Sequence, residues 1–370
     1  MKKTPLPILA ILLLILALSG FQACQEQTQK KTKHQDQKKT NLINLETNKT
    51  RFNKGEPITF LLTPKKEKTN PAEIQIFLNK KPVSKARLND TIHLSTDTLA
   101  LGQQNIKISI SYDEEPDEKK HLQVLVLPKS PPQKLKYKII ADYPHDKKAY
   151  TQGLVYLNGF LYESTGRWGQ SSLRKVNYQK NKILQKIELD DKYFAEGITI
   201  IDDYIIQLTY KAQKAFFYDL ETFEKTGETY YPNIEGWGLT FDGKHLIMSD
   251  GSDKLFFYEK DNFKEIRQLT IYDNKGPVNL LNELEYIKGM VYANIYGKDY
   301  ILRIDPETGA VTGKVDFSGL LSPSDHHREL DVLNGIAWNP DNQHFFITGK
   351  NWPRLFELII TENSNVSTSF

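Results

Sequence analysis

At 370 residues the chain is longer than one ordinary domain, which points to two domains or one large β architecture with an appendage. Forty-nine Lys and Arg against 46 Asp and Glu leave a formal net charge of +3, too near balance for a basic nucleic-acid binder. The single cysteine, Cys24, excludes an intrachain disulfide and a Cys-based zinc site, and an aromatic content of 11% favours β structure.

The chain opens Met1-Lys2-Lys3, runs through unbroken apolar residues over 8–18, and continues Ser19-Gly20-Phe21-Gln22-Ala23-Cys24. A charged start, a short apolar stretch and a small residue describe an export signal. The run is well short of the roughly 20 residues that cross a bilayer. A cysteine directly after it resembles a bacterial lipobox, although Phe21 and Gln22 fit that pattern poorly. The expectation is a lipoprotein signal over 1–23, lipidation at Cys24 and a lipid-anchored protein of the bacterial envelope, periplasmic or at the cell surface. The alternative is a plain secretory signal with an incidental cysteine. Residues 24–41 are nearly all polar, cannot bury enough surface to offset their ordering entropy, and read as a tether.

Over residues 42–128 the pattern becomes short alternating segments. Pro57-Ile58-Thr59-Phe60-Leu61-Leu62, Glu73-Ile74-Gln75-Ile76-Phe77-Leu78, Ile106-Lys107-Ile108-Ser109-Ile110-Ser111 and His121-Leu122-Gln123-Val124-Leu125-Val126 are the clearest. Period-2 apolarity broken by turn residues predicts a small Ig-like β-sandwich. No cluster of titratable side chains marks it as a reaction site, and Pro128, Pro131 and Pro132 form a stiff boundary.

Residues 134–360 repeat. Five times an apolar strand reaches a tight turn and returns, at Asn158-Gly159, Asp202-Asp203, Asp242-Gly243, Lys288-Gly289 and Asp341-Asn342. Four of these units carry a second hairpin, and four strands per roughly 40–50 residues is the signature of a propeller blade. The fifth unit lacks its outer strand, which Leu135-Lys136-Tyr137-Lys138-Ile139-Ile140 can supply from upstream. The prediction is an all-β chain: a five-bladed β-propeller preceded by the sandwich, with 361–370 as a tail.

In a propeller the residues just before each inner strand gather at one mouth of the central channel. Here they are Gln152, Glu196, Trp237, Asn282-Glu283 and Asn334, polar or aromatic and different in every unit. A purely structural set would repeat as the turns do, so this set is the candidate site. Asn334 is better explained by a backbone contact, Asp250-Gly251 by turn chemistry, and His326-His327 by a surface loop. Lys350 is open between the site and an ion pair with Glu283. Arg174 and Asp219 are expected to hold blades together.

Several segments carry a family resemblance. They include Tyr150-Thr151-Gln152-Gly153-Leu154, Tyr162-Glu163-Ser164-Thr165-Gly166, Phe194-Ala195-Glu196-Gly197 and Glu235-Gly236-Trp237-Gly238-Leu239-Thr240. Met248-Ser249-Asp250-Gly251-Ser252, Leu281-Asn282-Glu283-Leu284-Glu285, Val332-Leu333-Asn334-Gly335-Ile336 and Thr348-Gly349-Lys350 continue it in order. Together they resemble the plant and bacterial type of glutaminyl-peptide cyclotransferase, a five-bladed propeller. The resemblance spans the repeat but neither the sandwich nor the tether. It implies conversion of the N-terminal glutamine of peptides or proteins to pyroglutamate with release of ammonia, without cofactor or catalytic metal. It further implies Glu196 as general acid/base with Asn282 and Lys350 beside it, and Tyr150, Gln152, Phe194, Tyr210, Trp237 and Tyr296 around the substrate. Tyr150 stands where the family often has Phe, and Tyr210 and Tyr296 where it often has Trp, which bears on substrate preference. Two alternatives carry weight: a non-catalytic propeller that binds peptide N-termini, and a calcium-dependent lactonase-like hydrolase using Glu196, Glu283, Asn282 and Asn334 as oxygen ligands.

Overall fold

A computed structural model describes residues 40–362. The leader, Cys24 and nearly all of the tether therefore lie outside the described residues, as does most of the tail. Among the described residues no helix is long and apolar enough to cross a membrane.

The first β region is two sheets closed on one core. Ile43–Glu46, Ile58–Pro64 and Thr91–Leu94 form a three-stranded sheet. The facing sheet has five strands in the order Arg51–Asn53, Glu118–Leu127, Gly102–Ser111, Glu73–Leu78, Lys81–Lys85. Alternation does the work: Ile106, Ile108 and Ile110 point inward with Leu122 and Val124, against Phe60, Leu62, Ile74 and Ile76 of the other strands. Each such side chain contributes about 1.5–3 kcal/mol on burial. The strands that the sequence did not announce are short and lie at sheet edges. Lys81-Pro82-Val83-Ser84-Lys85 is almost wholly exposed, and its proline and lysines blunt the edge.

Beyond the proline boundary come three separate four-stranded sheets and one of eight strands. The eight-stranded sheet is two four-stranded units joined by a brief parallel contact, Gly313–Val315 against Gln133–Leu135 in register. The five units begin with Thr151–Leu157, Ala195–Ile201, Leu239–Phe241, Leu281–Ile287 and Leu333–Asn339. Each of these strands packs against the next and the fifth packs against the first, which closes a ring. The hairpin turns follow the sequence: Asn158 and Gly159, and Lys288 and Gly289, all have positive φ, the geometry whose twist matches the flanking strands.

Apolar residues between neighbouring sheets supply the core; Ile247, Leu255, Leu284, Val291 and Ala293 form one such layer. The missing outer strand of the last unit is Gln133–Pro144, paired antiparallel with Arg354–Thr361 from Arg354↔Pro144 to Thr361↔Lys136. It is longer than the apolar run suggested, because its first residues also extend the fourth unit. The sandwich touches the ring beside the hairpin of Tyr272–Asp273 and Gly276–Pro277. There Arg51 donates to the Lys275 carbonyl, and the Tyr272 ring lies against Gly102.

Candidate active site

The local event that builds the site is a repeated β-bulge. In the first unit the pairing steps from Thr151↔Thr165 to Gly153↔Ser164, which leaves Gln152 without an opposite residue. The second steps from Ala195↔Thr209 to Ile198↔Gln207, placing Glu196-Gly197 opposite one residue. The same extra residue occurs at Asn282-Glu283, between Leu281↔Ile295 and Leu284↔Ala293, and at Asn334-Gly335, between Leu333↔Gly349 and Ile336↔Ile347. An unpaired residue in a bulge is free to aim its side chain off the sheet. In the third unit Trp237 stands just ahead of its strand, with its N–H on the Ser249 carbonyl at 2.9 Å.

These side chains meet in one cavity of about 230 Å³ lined by Tyr150, Gln152, Phe194, Glu196, Tyr210, Trp237, Asn282, Tyr296 and Lys350. All nine residues that the family resemblance placed around the substrate line it together, whereas Glu283 and Asn334 of the set before the inner strands do not. Glu196 is only 4% exposed, and its Oε1 accepts a hydrogen bond from Gln152 Nε2 at 3.1 Å. Burial pushes its carboxyl well above the usual range; Lys350 opposes that rise and the charge of Glu235 adds to it. Lys350 is equally buried, and desolvation pulls its ammonium down against the pull of Glu196 and Asp331. Its Nζ lies 5.0 Å from the Tyr150 ring centre and 5.2 Å from that of Tyr296, so aromatic faces supply part of its solvation. Lys350 thus belongs to the cavity, and no ion pair joins it to Glu283 among the described residues.

Aromatic walls enclose the carboxylate. Phe194 meets Tyr210 at 5.7 Å between ring centres and Tyr150 at 6.3 Å, and Trp237 meets Tyr296 edge-on at 5.7 Å. The hydroxyls that distinguish Tyr150 and Tyr210 from the residues expected there are directed at carboxylates. Tyr150 donates to Asp331 Oδ2 at 2.9 Å, and the Tyr210 phenol faces Glu235. Asn282 Nδ2 is a buried donor with no partner among the described residues. It is free to donate to an incoming oxygen.

Other residues find different roles. Asn334 donates to the Thr151 carbonyl at 2.9 Å, as expected, and more weakly to Gln152 Oε1 at 3.4 Å. Both oxygens of Glu283 are taken, by the N–H of Leu154 at 3.3 Å and of Ile336 at 2.9 Å, and Glu283 does not line the cavity. Of the four oxygens of the calcium alternative, those of Glu283 and Asn334 thus lie outside the cavity that Glu196 and Asn282 line. Arg174 reaches Asp146 at 2.9 Å, tying the first unit to the segment that leads into it. Asp219 corrects the expectation of a blade tie: its carboxylate caps its own turn at Glu221 and Thr222. Asp250 bonds Ser252 within its turn, and His327 meets the Asn351 carbonyl.

Glu235 and Asp331 are the functional-site neighbours that sequence reasoning did not single out. A lone acid in a loop carries no periodic signal; only the position of Glu235 two residues before Trp237 hinted at it.

Comparison with known proteins adds to this geometry. Residues 111–360 match the glutamine cyclotransferase family. A glutaminyl-peptide cyclotransferase of Arabidopsis thaliana is 39% identical over 237 residues, 63% of this chain and 73% of that one. The crystal structure of Myxococcus xanthus glutaminyl cyclase is similar with a TM-score of 0.58 at 36% identity, covering 62% of this chain and 99% of that chain. The matched span contains every residue of the cavity, and the chain belongs to the glutamine cyclotransferase family.

Proposed function

We propose that this protein is a glutaminyl-peptide cyclotransferase acting on peptides or proteins with N-terminal glutamine, with Glu196 moving the proton. The observation that carries the role of Glu196 is its burial inside an aromatic cavity sized for one small side chain. Attacking amine and target amide belong to the same residue, so folding the glutamine side chain back supplies proximity. The α-nitrogen attacks the carbonyl carbon of the side-chain amide (Cδ), the C–N bond to the amide nitrogen breaks, and ammonia leaves. The amine must lose a proton and the departing nitrogen must gain one, and a single carboxyl can carry it between them.

The raised pKa of Glu196 suits that task. A neutral Glu196 with a free amine and an ionised Glu196 with an ammonium contain the same number of protons, so both arrangements feed one reaction. Asn282 Nδ2 is the candidate donor to the oxyanion, and Lys350 adds positive charge in a dry site. Gln152 orients Glu196 through its hydrogen bond.

The test incubates the purified protein with a short peptide bearing N-terminal Gln, following ammonia release and the matching mass loss, with and without chelator. Glu196→Gln should lower kcat by about 10²–10⁴, the usual contribution of general acid–base catalysis. Affinity for the peptide without turnover above the spontaneous rate would establish the non-catalytic alternative instead. We further propose a lipid-anchored location in the bacterial envelope, supported by the leader and Cys24. Loss of the mature protein from membranes on Cys24→Ala would test it; unchanged fractionation would overturn it.

A further inference from the structure

Glu235 lies at the rim of the cavity, outside its lining, yet it is tied to two of its walls. Its Oε2 accepts the indole N–H of Trp237 at 3.1 Å, and the Tyr210 phenol faces the same carboxylate. Lys211 stands 3.4 Å from Oε1, with 56% of its side chain exposed against 26% for Glu235. The backbone around it is equally fixed. Gly236 N–H donates to the Tyr210 carbonyl at 3.0 Å, and the Trp237 carbonyl accepts from Gly197, next to Glu196, at 2.7 Å. Glu235 thus sits between the end of the second unit's return strand and the lead-in of the third, and the Trp237 backbone carries the tie on to Gly197 in the second unit's first strand.

We propose that Glu235 is a positioning residue for cyclisation: it clamps Trp237 and Tyr210 as cavity walls and sets the field in which Glu196 exchanges its proton. This rests on the cyclotransferase reading. Two properties separate Glu235 from a merely structural acid. On the cavity side it is held by a neutral donor, Trp237, and faces the neutral Tyr210 phenol, contacts that leave its charge uncancelled. Among the described residues its paired cation is Lys211, which is largely in solvent and screened, so the pair is weak. The charge is therefore felt inside, where Glu196 faces Lys350, Tyr210 and Tyr231 as its other titratable neighbours and Asp331 faces Lys350.

The sign is definite. A nearby negative charge favours the protonated form of Glu196, so removing it lets Glu196 ionise at lower pH. Glu235→Gln keeps an oxygen for the Trp237 N–H and nearly the same volume while deleting the charge. In the pH profile of kcat/KM one limb belongs to the amine of the peptide and is common to all variants. The other belongs to the enzyme, and Glu235→Gln should move it to lower pH. Lys211→Ala removes the partial neutralisation and should move the same limb to higher pH. Glu235→Ala, which also releases Trp237 and Tyr210, should raise KM several-fold.

The experiment measures these profiles on the full chain with one Gln-peptide, with thermal melts to establish that each variant is folded. Limbs displaced in opposite directions by Glu235→Gln and Lys211→Ala support the inference. Turnover in the wild type with both profiles superimposed on it would overturn the inference alone, because a purely structural acid tolerates glutamine silently. Absence of turnover in the wild type would instead overturn the functional reading.

Discussion

At the scale of single residues the site separates groups by what burial does to them. Glu196 and Lys350 share a dry cavity, and burial drives both toward their neutral forms while each steadies the charge of the other. Asn282 differs: its Nδ2 donor has no partner among the described residues. Asn282→Ala should therefore reduce kcat by about 10²–10³ with little change in KM, the behaviour of an interaction made mainly in the transition state; steady-state kinetics on a Gln-peptide would check it. Gly251 has φ +81°, and a Cβ there would fall 2.7 Å from the Trp237 ring. Gly251→Ala is strained in its backbone and displaces a cavity wall, so it should lower the melting temperature and raise KM together. Gln152, Glu196, Trp237 and Asn282 were legible in the sequence because they vary from unit to unit where structural residues repeat, and the family resemblance implied the other lining residues. Glu235 and Asp331 were not, because their importance lies in whom they meet across loops.

At the scale of elements the bulge is the device that makes a site out of a repeat. Sequence reasoning placed the candidate site residues just before the inner strands. In four units they lie inside the strand, at its second residue, where one extra residue leaves the alternation downstream unchanged. That is why apolar periodicity located the strands yet not the bulges. A glycine directly follows Gln152, Glu196, Trp237 and Asn334, and was the visible trace. The fourth unit departs with Glu283, whose carboxyl receives N–H groups from the first and fifth units and so laces three elements together. Glu283→Ala would strand both donors in the interior at about 1–3 kcal/mol each. Chemical denaturation should show a loss of that order, with the midpoint falling and the slope unchanged.

At the scale of the whole molecule, one buried ion pair sits where the ring closes on itself. His145 lies between the Trp352 carbonyl at 2.8 Å and Glu163 at 3.0 Å, and Thr151 donates to the same Glu163 oxygen. Burial alone would lower the His145 pKa and raise that of Glu163, but the pairing prevails and reverses both. The histidine contribution is whole below about 6.5 and is lost as pH rises through its elevated folded value. The glutamate contribution is whole above about 4.5 and is lost as pH falls through its depressed folded value. Melting temperature should therefore hold its pair-dependent gain between those limits, and His145→Gln should flatten the decline on the alkaline side. The ring and its closing strand were legible because the last unit was visibly one strand short.

The closing strand also dictates an order of events. Gln133–Pro144 leaves the ribosome before any of the five units, whereas its partner Arg354–Thr361 comes last. The early strand must wait, with one edge unpaired, until nearly the whole chain has been made. Contacts so distant in sequence make folding slow and leave open edges that invite the wrong neighbour. A copy of this protein cut short before residue 354 would carry every cavity residue and still lack the strand that locks the ring, so it should be cleared by proteolysis rather than persist as a partly active enzyme.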